Sequence, residues 1–173
     1  TGACNPKDML WRMLASGVAT GGHPLDDRPM AMAPVDLVSR AVVDLMSTPA
    51  TAGRAFHLVA PEGYSARRLF GLLGDAGLAT EPLSRSDWLT AVAGRARADG
   101  NDVLTSMVLY DLADHENAGV EAEAWQPWLR ACGQRPVPTG ALLRSALAYL
   151  AGKDSDYREL LGGSLATASD RNE

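Results

Sequence analysis

Cysteine is nearly absent: Cys4 and Cys132 are the only two in 173 residues. Two thiols so far apart in an alanine-rich chain make no disulfide framework, which points to a reducing compartment, the cytoplasm. Lysine is as rare, at Lys7 and Lys153, so basic charge is nearly all arginine. The net charge is -5 and the pI about 5.2, which excludes a broad nucleic-acid footprint because no surplus of cations is available to neutralise phosphates. No apolar run approaches the roughly 20 residues that span a bilayer. Arg12 breaks the first apolar stretch, so a signal peptide is not read there. His23, His57 and His115 are scattered, and none has a second His or Cys at ligand spacing, which leaves no zinc motif. Neither a Gly-x-Ser-x-Gly elbow nor a Walker loop appears, and no Cys/His nucleophile pair is visible.

What remains is enough for one domain. Hydrophobic residues make up 46% of the chain, sufficient for a real core at this length. Asn5 suits an N-cap and Pro6 the first helical position, with Met9, Leu10, Met13 and Leu14 following at helical spacing and Gly17 as a stop. Thr20–Pro24 (TGGHP) reads as a loop. Pro34-Val35-Asp36 opens a second helix, with Asp36 a structural cap, and Pro49 stops it. Arg54–Ala60 (RAFHLVA) is apolar, short and bounded by Gly53 and Pro61, so it reads as a buried strand with His57 a satisfied buried histidine. Ser65 caps a third helix that ends near Gly77, Leu78–Leu83 is extended, and Ser86-Asp87 starts a fourth helix carrying Trp88. From Asp102 onward only helices are predicted, over Val103–Leu112, Val120–Cys132 and Gly140–Leu150. Trp88, Trp125 and Trp128 are read as helix-packing residues. The small, polar residues after about 162 are expected to be disordered.

Two motifs invite a cofactor reading and are rejected on context. Residues 71–77, GLLGDAG, fit G-x-x-G-x-x-G, but a dinucleotide fingerprint needs a strand before it and a helix after it. Here a helix precedes, so Gly71 lies within it and Gly77 ends it. Tyr149–Lys153, YLAGK, fits Y-x-x-x-K, in which Lys lowers the pKa of a proton-donating Tyr. The pair instead ends the last predicted helix, with Tyr149 packing on the core. An orphan strand at RAFHLVA would need partners from a larger sheet, and would leave an apolar edge prone to self-association.

The order of segments resembles the C-terminal part of a thioester reductase domain, in the extended short-chain dehydrogenase/reductase superfamily. Such domains end some nonribosomal peptide synthetases and polyketide synthases. The resemblance is carried by a Thr-Gly loop followed by Asn-x-x-Asp (Thr1, Gly2, Asn5, Asp8). It continues through Pro34-Val35-Asp36 with Val38 and Ala41, then Phe56, His57, Leu58 and Pro61, and then Gly77, Glu81, Ser86 and Trp88. It implies an α/β parentage that is mostly helical in this chain, with one or a few short strands from a Rossmann sheet. It also implies that Thr1 sits in the middle of the parent domain. Residues 1–101 would end the Rossmann-associated region and form the substrate-binding subdomain, 102–152 would form a helical extension, and 153–173 a partly disordered tail.

The resemblance further implies that the parent domain transfers hydride from NADPH to a thioester. The acyl or peptidyl group arrives on the phosphopantetheine arm of a carrier protein and leaves as an aldehyde or alcohol. The glycine fingerprint and the catalytic set belong to the preceding Rossmann half, so this chain is expected to bind no NADPH and to be inactive by itself. By resemblance, Thr1, Gly2, Asn5 and Asp8 border the substrate pocket, while Met9 and Trp11, with Met13 and Leu14, line the acyl channel. The plainer alternatives are a capped helix end for the first set and core packing for the second. Arg130, Arg135 and Arg144 are candidate carrier contacts or ordinary surface arginines. Two other readings stay open: a non-catalytic carrier-protein interaction module, and part of a nucleotide-sugar epimerase or dehydratase.

Overall fold

In a computed structural model, the structure describes residues 2–30, 32–58, 63–112, 127–128 and 139–169. They include seven α-helices, a 3-10 turn at Pro49–Thr51 and two short strands: α1 Met9–Thr20, β1 Gly22–Pro24, α2 Val35–Met46, α3 Ala66–Asp75, β2 Glu81–Leu83, α4 Arg85–Asp99, α5 Asp102–Leu112, α6 Gly140–Lys153 and α7 Ser155–Ser169. The described chain is thus mostly helical with a two-stranded parallel sheet, as the α/β parentage led one to expect. It divides into two compact units. One comprises Thr1–Asp27, Ser65–Glu116 and Thr139–Glu173, the other Arg28–Tyr64 and Asn117–Pro138.

In the larger unit, α1 is the central element, packed by α4, α5, α7 and β1. Its Leu14 and Ala15 are fully buried, as are Leu69 and Leu73 of α3, Val92 of α4, Leu104 of α5 and Leu147 and Leu150 of α6. Burying such aliphatic side chains contributes roughly 1.5–3 kcal/mol each. Helix α6 lies along α3 and pairs with α7. Gly140 lets the start of α6 approach the Leu72 carbonyl of α3 so closely that an added Cβ would collide with it.

The N-terminus of α1 differs from the sequence reading. Asn5 is not the cap: its carbonyl accepts from Asp8 N–H at 3.1 Å and its Oδ1 from Lys7 N–H at 3.0 Å. Asn5-Pro6-Lys7-Asp8 is therefore a tight turn with Pro in its second position, a place the fixed proline φ suits as well as it suits a first helical turn. Asp8 is the N-cap, its Oδ1 accepting from Leu10 N–H at 2.9 Å. Nor does Gly17 end the helix. It lies buried inside α1 where the Phe70 ring leaves no room for a Cβ, and Gly21, at φ 70°, supplies the left-handed cap.

TGGHP contains a strand rather than only a loop. Gly22, His23 and Pro24 pair in parallel with Glu81, Pro82 and Leu83. RAFHLVA departs furthest from expectation: residues 54–58 have no regular secondary structure, and 59–60 lie outside the described residues. Phe56 and Leu58 turn inward onto Leu37 and Ala41 of α2, while His57 is exposed rather than buried. Phe56 and Leu58 thus find cover on a helix of their own unit rather than in a sheet.

GLLGDAG behaves as the context argument required. Ser65 caps α3, accepting from Arg68 N–H at 3.3 Å. Leu78 N–H donates to the Leu73 carbonyl at 2.9 Å and Gly77 N–H to the Gly74 carbonyl at 3.0 Å, with Gly77 at φ 89°. This is a Schellman ending, with Leu78 buried beside Leu73 as such endings favour. Helix α4 is capped by Ser84, two residues before the expected Ser86, because Ser84 and Asp87 satisfy each other at the helix start. The predicted helix Val120–Cys132, which carries Arg130, lies outside the described residues except for residues 127–128, which are helical, and Arg135 beyond it is also outside them.

The C-terminal expectation is corrected. Residues 155–169 form α7. Tyr157, Leu160 and Leu161, spaced to share one helix face, are buried. Asp154 caps α7, its Oδ1 accepting from Asp156 N–H at 2.9 Å. The small residues of 162–169 lengthen a helix already anchored by that apolar stripe, so their polarity does not decide its state.

Candidate functional site

The residues expected to line a substrate pocket gather at the approach to α1. Thr1 lies outside the described residues. Gly2 is buried at φ 66°, and a Cβ there would stand 2.6 Å from the Ser145 carbonyl oxygen of α6. Asn5 and Asp8 are exposed on the turn that follows, and Met9 and Trp11 are half-buried in the first turn of α1. Of these residues Asn5 and Asp8 are thus exposed on the turn, Gly2 is buried against α6, and Met9 and Trp11 are half-buried on α1 two residues apart, with Met13 half-buried and Leu14 in the core.

The segment leading into α1 is backed by side chains the sequence reading did not single out. Tyr157 of α7 donates its hydroxyl to the Pro6 carbonyl at 2.9 Å. Cys4 Sγ donates to the Ala146 carbonyl of α6 at 3.9 Å. Arg12 Nη1 donates to Ser106 Oγ of α5, and its Nε is buried without a partner. Tyr157 was legible in principle, since Tyr157, Leu160 and Leu161 fall at helical spacing behind Asp154. Its pairing with Pro6 joins residues 151 apart in sequence and left no local trace.

Electrostatics keep two of these side chains neutral. Burial, aided by the Asp8 carboxylate, pushes the Cys4 thiol up to about 11. Burial also raises the Tyr157 hydroxyl, against an opposing pull from Arg12. At neutral pH the first is a thiol and the second a phenol, so neither is a thiolate or phenolate nucleophile. The arrangement shapes a surface and fixes backbone groups.

A second buried titratable side chain lies at β1. His23 is 7% exposed, stacked on Phe70 with ring centroids 4.8 Å apart, and its Nδ1 is 2.8 Å from Thr80 Oγ1. Burial lowers its pKa, Arg67 lowers it further and Glu81 partly offsets both. Tyr149 and Lys153, the pair resembling a reductase dyad, lie at the end of α6, where Lys153 is the last helical residue and exposed. Arg144 Nη1 donates to the Ala76 carbonyl at 3.3 Å and is half-buried, so it helps close α3 against α6.

The smaller unit, by itself, carries a cleft of about 240 Å³ lined by Leu45, Met46, Pro49, Arg54 and Phe56 among others. The Arg54 guanidinium lies over the Phe56 ring at 5.3 Å from its centroid. Trp128 Nε1 donates to Asp44 Oδ2 at 3.1 Å, so Trp128 packs on α2. Among the described residues no group of His, Cys, Asp and Glu is placed to hold a metal, and no helix is long and apolar enough to cross a membrane.

No family model matches the chain. A linear gramicidin synthase polypeptide of Brevibacillus parabrevis is 30% identical over 112 residues, 65% of this chain and 2% of that protein. Glycine betaine reductase ATRR of Emericella nidulans is 32% identical over 104 residues, 59% of this chain and 8% of that protein. A crystal structure of the terminal R domain from the myxalamid PKS-NRPS biosynthetic pathway superposes with a TM-score of 0.74 at 25% identity. The match covers 88% of this chain and 40% of that one. The chain is similar to part of a terminal R domain, in sequence and in fold. The thioester reductase resemblance drawn from the order of motifs agrees with both comparisons. The chain spans only a small part of the curated relatives and less than half of the R-domain structure.

Proposed function

We propose that the chain is the substrate-binding portion of an NADPH-dependent thioester reductase. The parent domain would release an acyl or peptidyl group from a carrier protein as an aldehyde or alcohol. The observation that supports this most is the R-domain fold across 88% of the chain, together with relatives that include a peptide synthetase and a reductase.

The described residues do not fit the cofactor. A dinucleotide pyrophosphate needs glycine amides at a helix N-terminus, and the one glycine-rich run spans the body and C-terminal end of α3. In this reading NADPH and the catalytic groups are held by a Rossmann half encoded upstream. This chain contributes Asn5, Asp8, Met9 and Trp11 to one wall of the acyl site, and Gly2, buried against Ser145, anchors the loop that carries them. Flexible Met9 and broad, half-buried Trp11 suit an acyl chain of variable shape. The phosphopantetheine thioester of a carrier protein is the partner.

The test is NADPH oxidation by the complete parent protein with an acyl-pantetheine thioester, and NADPH titration of this chain alone by fluorescence. Aldehyde formation in the first and no saturable binding in the second are the expected results. A parent protein that oxidises NADPH only with nucleotide sugars would overturn the reading. A parent with no NADPH chemistry would favour the interaction module.

A further inference from the structure

The turn Asn5–Asp8 is exposed on its outer side at Asn5, Lys7 and Asp8, yet it is not a loose surface segment. Three contacts hold it from beneath, all from the α6–α7 hairpin. Gly2 lies against the Ser145 carbonyl, with no space for a side chain between them. Cys4 Sγ reaches the Ala146 carbonyl at 3.9 Å. Tyr157, 1% exposed, donates to the Pro6 carbonyl at 2.9 Å.

The third contact is the directional one. Pro6 stands at the second position of the turn, and its carbonyl belongs to the Pro6–Lys7 peptide. Holding that oxygen fixes the rotation of the peptide plane on which the turn geometry depends. Tyr157 is itself held firmly. Its backbone N–H donates to Asp154 Oδ1 at 3.4 Å at the cap of α7, and Asn101 Nδ2 of the α5 cap donates to the neighbouring Asp156 carbonyl at 3.1 Å. A chain of fixed groups thus runs from the α5 and α7 helix starts to the turn that opens α1.

We propose that the α6–α7 hairpin positions the substrate-facing turn, with Tyr157 as the positioning residue acting through the Pro6 carbonyl. The role rests on the reading of this chain as the substrate-binding part of a thioester reductase. Tyr157 touches no substrate. It sets where Asn5, Asp8 and the start of α1 stand, and so tunes recognition of the thioester rather than hydride transfer.

The variant is Tyr157→Phe, which keeps the ring in its buried site and removes only the hydroxyl. In this chain, hydrogen exchange is measured at the amides of Lys7 and Asp8, with the thermal midpoint recorded alongside. Exchange should rise roughly fivefold, the equilibrium equivalent of one neutral hydrogen bond, with exchange in the cores of α3 and α4 unchanged. In the complete parent protein, KM for the pantetheine thioester should rise several-fold, while kcat and KM for NADPH stay as in the wild type. A merely structural role would move kcat and both KM values together.

Unchanged exchange at Lys7 and Asp8 overturns the latch. Faster exchange there with an unmoved thioester KM overturns the positioning role while leaving the functional reading intact. A wild-type parent that reduces no thioester overturns the functional reading, and the substrate role with it. A Tyr157→Phe chain that fails to fold is replaced by Tyr157→Leu, which also lacks the hydroxyl and keeps an apolar side chain in the buried site. It should reproduce the rise in exchange and in thioester KM, and failure to do so overturns the proposal.

Discussion

Adding one methyl group at Gly17 should separate a packed glycine from a merely tolerated one. An alanine Cβ there would fall inside the van der Waals envelope of the Phe70 ring edge, and would stand 3.1 Å from the Gly22 carbonyl oxygen. A flexible side chain could retreat at little cost, but Phe70 cannot. Its ring is 2% exposed and lies against His23 on one face, with His23 in turn tied to Thr80. Overpacking of this kind costs about 1–3 kcal/mol, and the clamped ring places Gly17→Ala near the upper end. The gain in helix propensity returns roughly 1 kcal/mol, leaving a net loss of about 2 kcal/mol.

For a chain of this size that loss lowers the thermal midpoint by about 4–8 °C. Gly94→Ala is the control. It sits in α4 with nothing within 4 Å of its added Cβ, so the same substitution should stabilise by roughly 0.5–1 kcal/mol. Urea titration of both variants, with Phe70→Leu added to Gly17→Ala to restore space, tests the account. A Gly17→Ala chain as stable as wild type, beside a stabilised Gly94→Ala chain, refutes the clamp.

His23 carries an acid-sensitive contribution to stability. Its folded pKa lies below the ordinary 6.5, so the unfolded chain takes up the proton first. The contribution is whole above 6.5 and is lost as pH falls through the folded value, so urea midpoints should drop between about pH 7.5 and 5.5 more steeply in wild type than in His23→Leu. Equal slopes would count against it. At α4, Ser84→Ala should cost about 1 kcal/mol while Ser86→Ala stays within about 0.5 kcal/mol, as chemical denaturation would show. The reverse order would place the cap at Ser86. Gly2→Ala should cost at least about 1–2 kcal/mol from its left-handed backbone alone, before the contact with Ser145 is counted, and a neutral result would show the loop to be unanchored.

Much was settled by local chemistry. The start of α2 at Val35, the Ser65 cap, the ending at Gly77 and the Thr139 cap of α6, whose hydroxyl accepts from Leu142 N–H at 3.1 Å, all follow from residues within one turn of each other, though Asp36 lies in the first turn of α2 and is not its cap. Local signals of that kind survive folding because the hydrogen bonds they encode close over three to five residues. The placing of Gly71 within a helix and of Gly77 at its end rested on the same logic, and α3 bears it out. The order of such segments along the chain also carried the R-domain resemblance.

The misreadings arose wherever one residue type serves two ends and only a distant neighbour chooses. Asn5-Pro6 suits a helix start or a turn, and a turn forms where Tyr157 takes up the Pro6 carbonyl from the far end of the chain. Gly17 was read as a stop, yet it is a hole for Phe70. RAFHLVA has the composition of a buried strand, but Phe56 and Leu58 are covered by α2. Hydrophobicity states that a side chain will be buried, not against what. The sequence by itself determined which segments are helical and which of their residues are apolar, and it fixed the helix ends where one local signal stood alone, as at Ser65 and Gly77. Tertiary packing alone decided which of those apolar faces meet, and thereby which polar groups line the approach to α1, because those pairings join residues far apart in the chain.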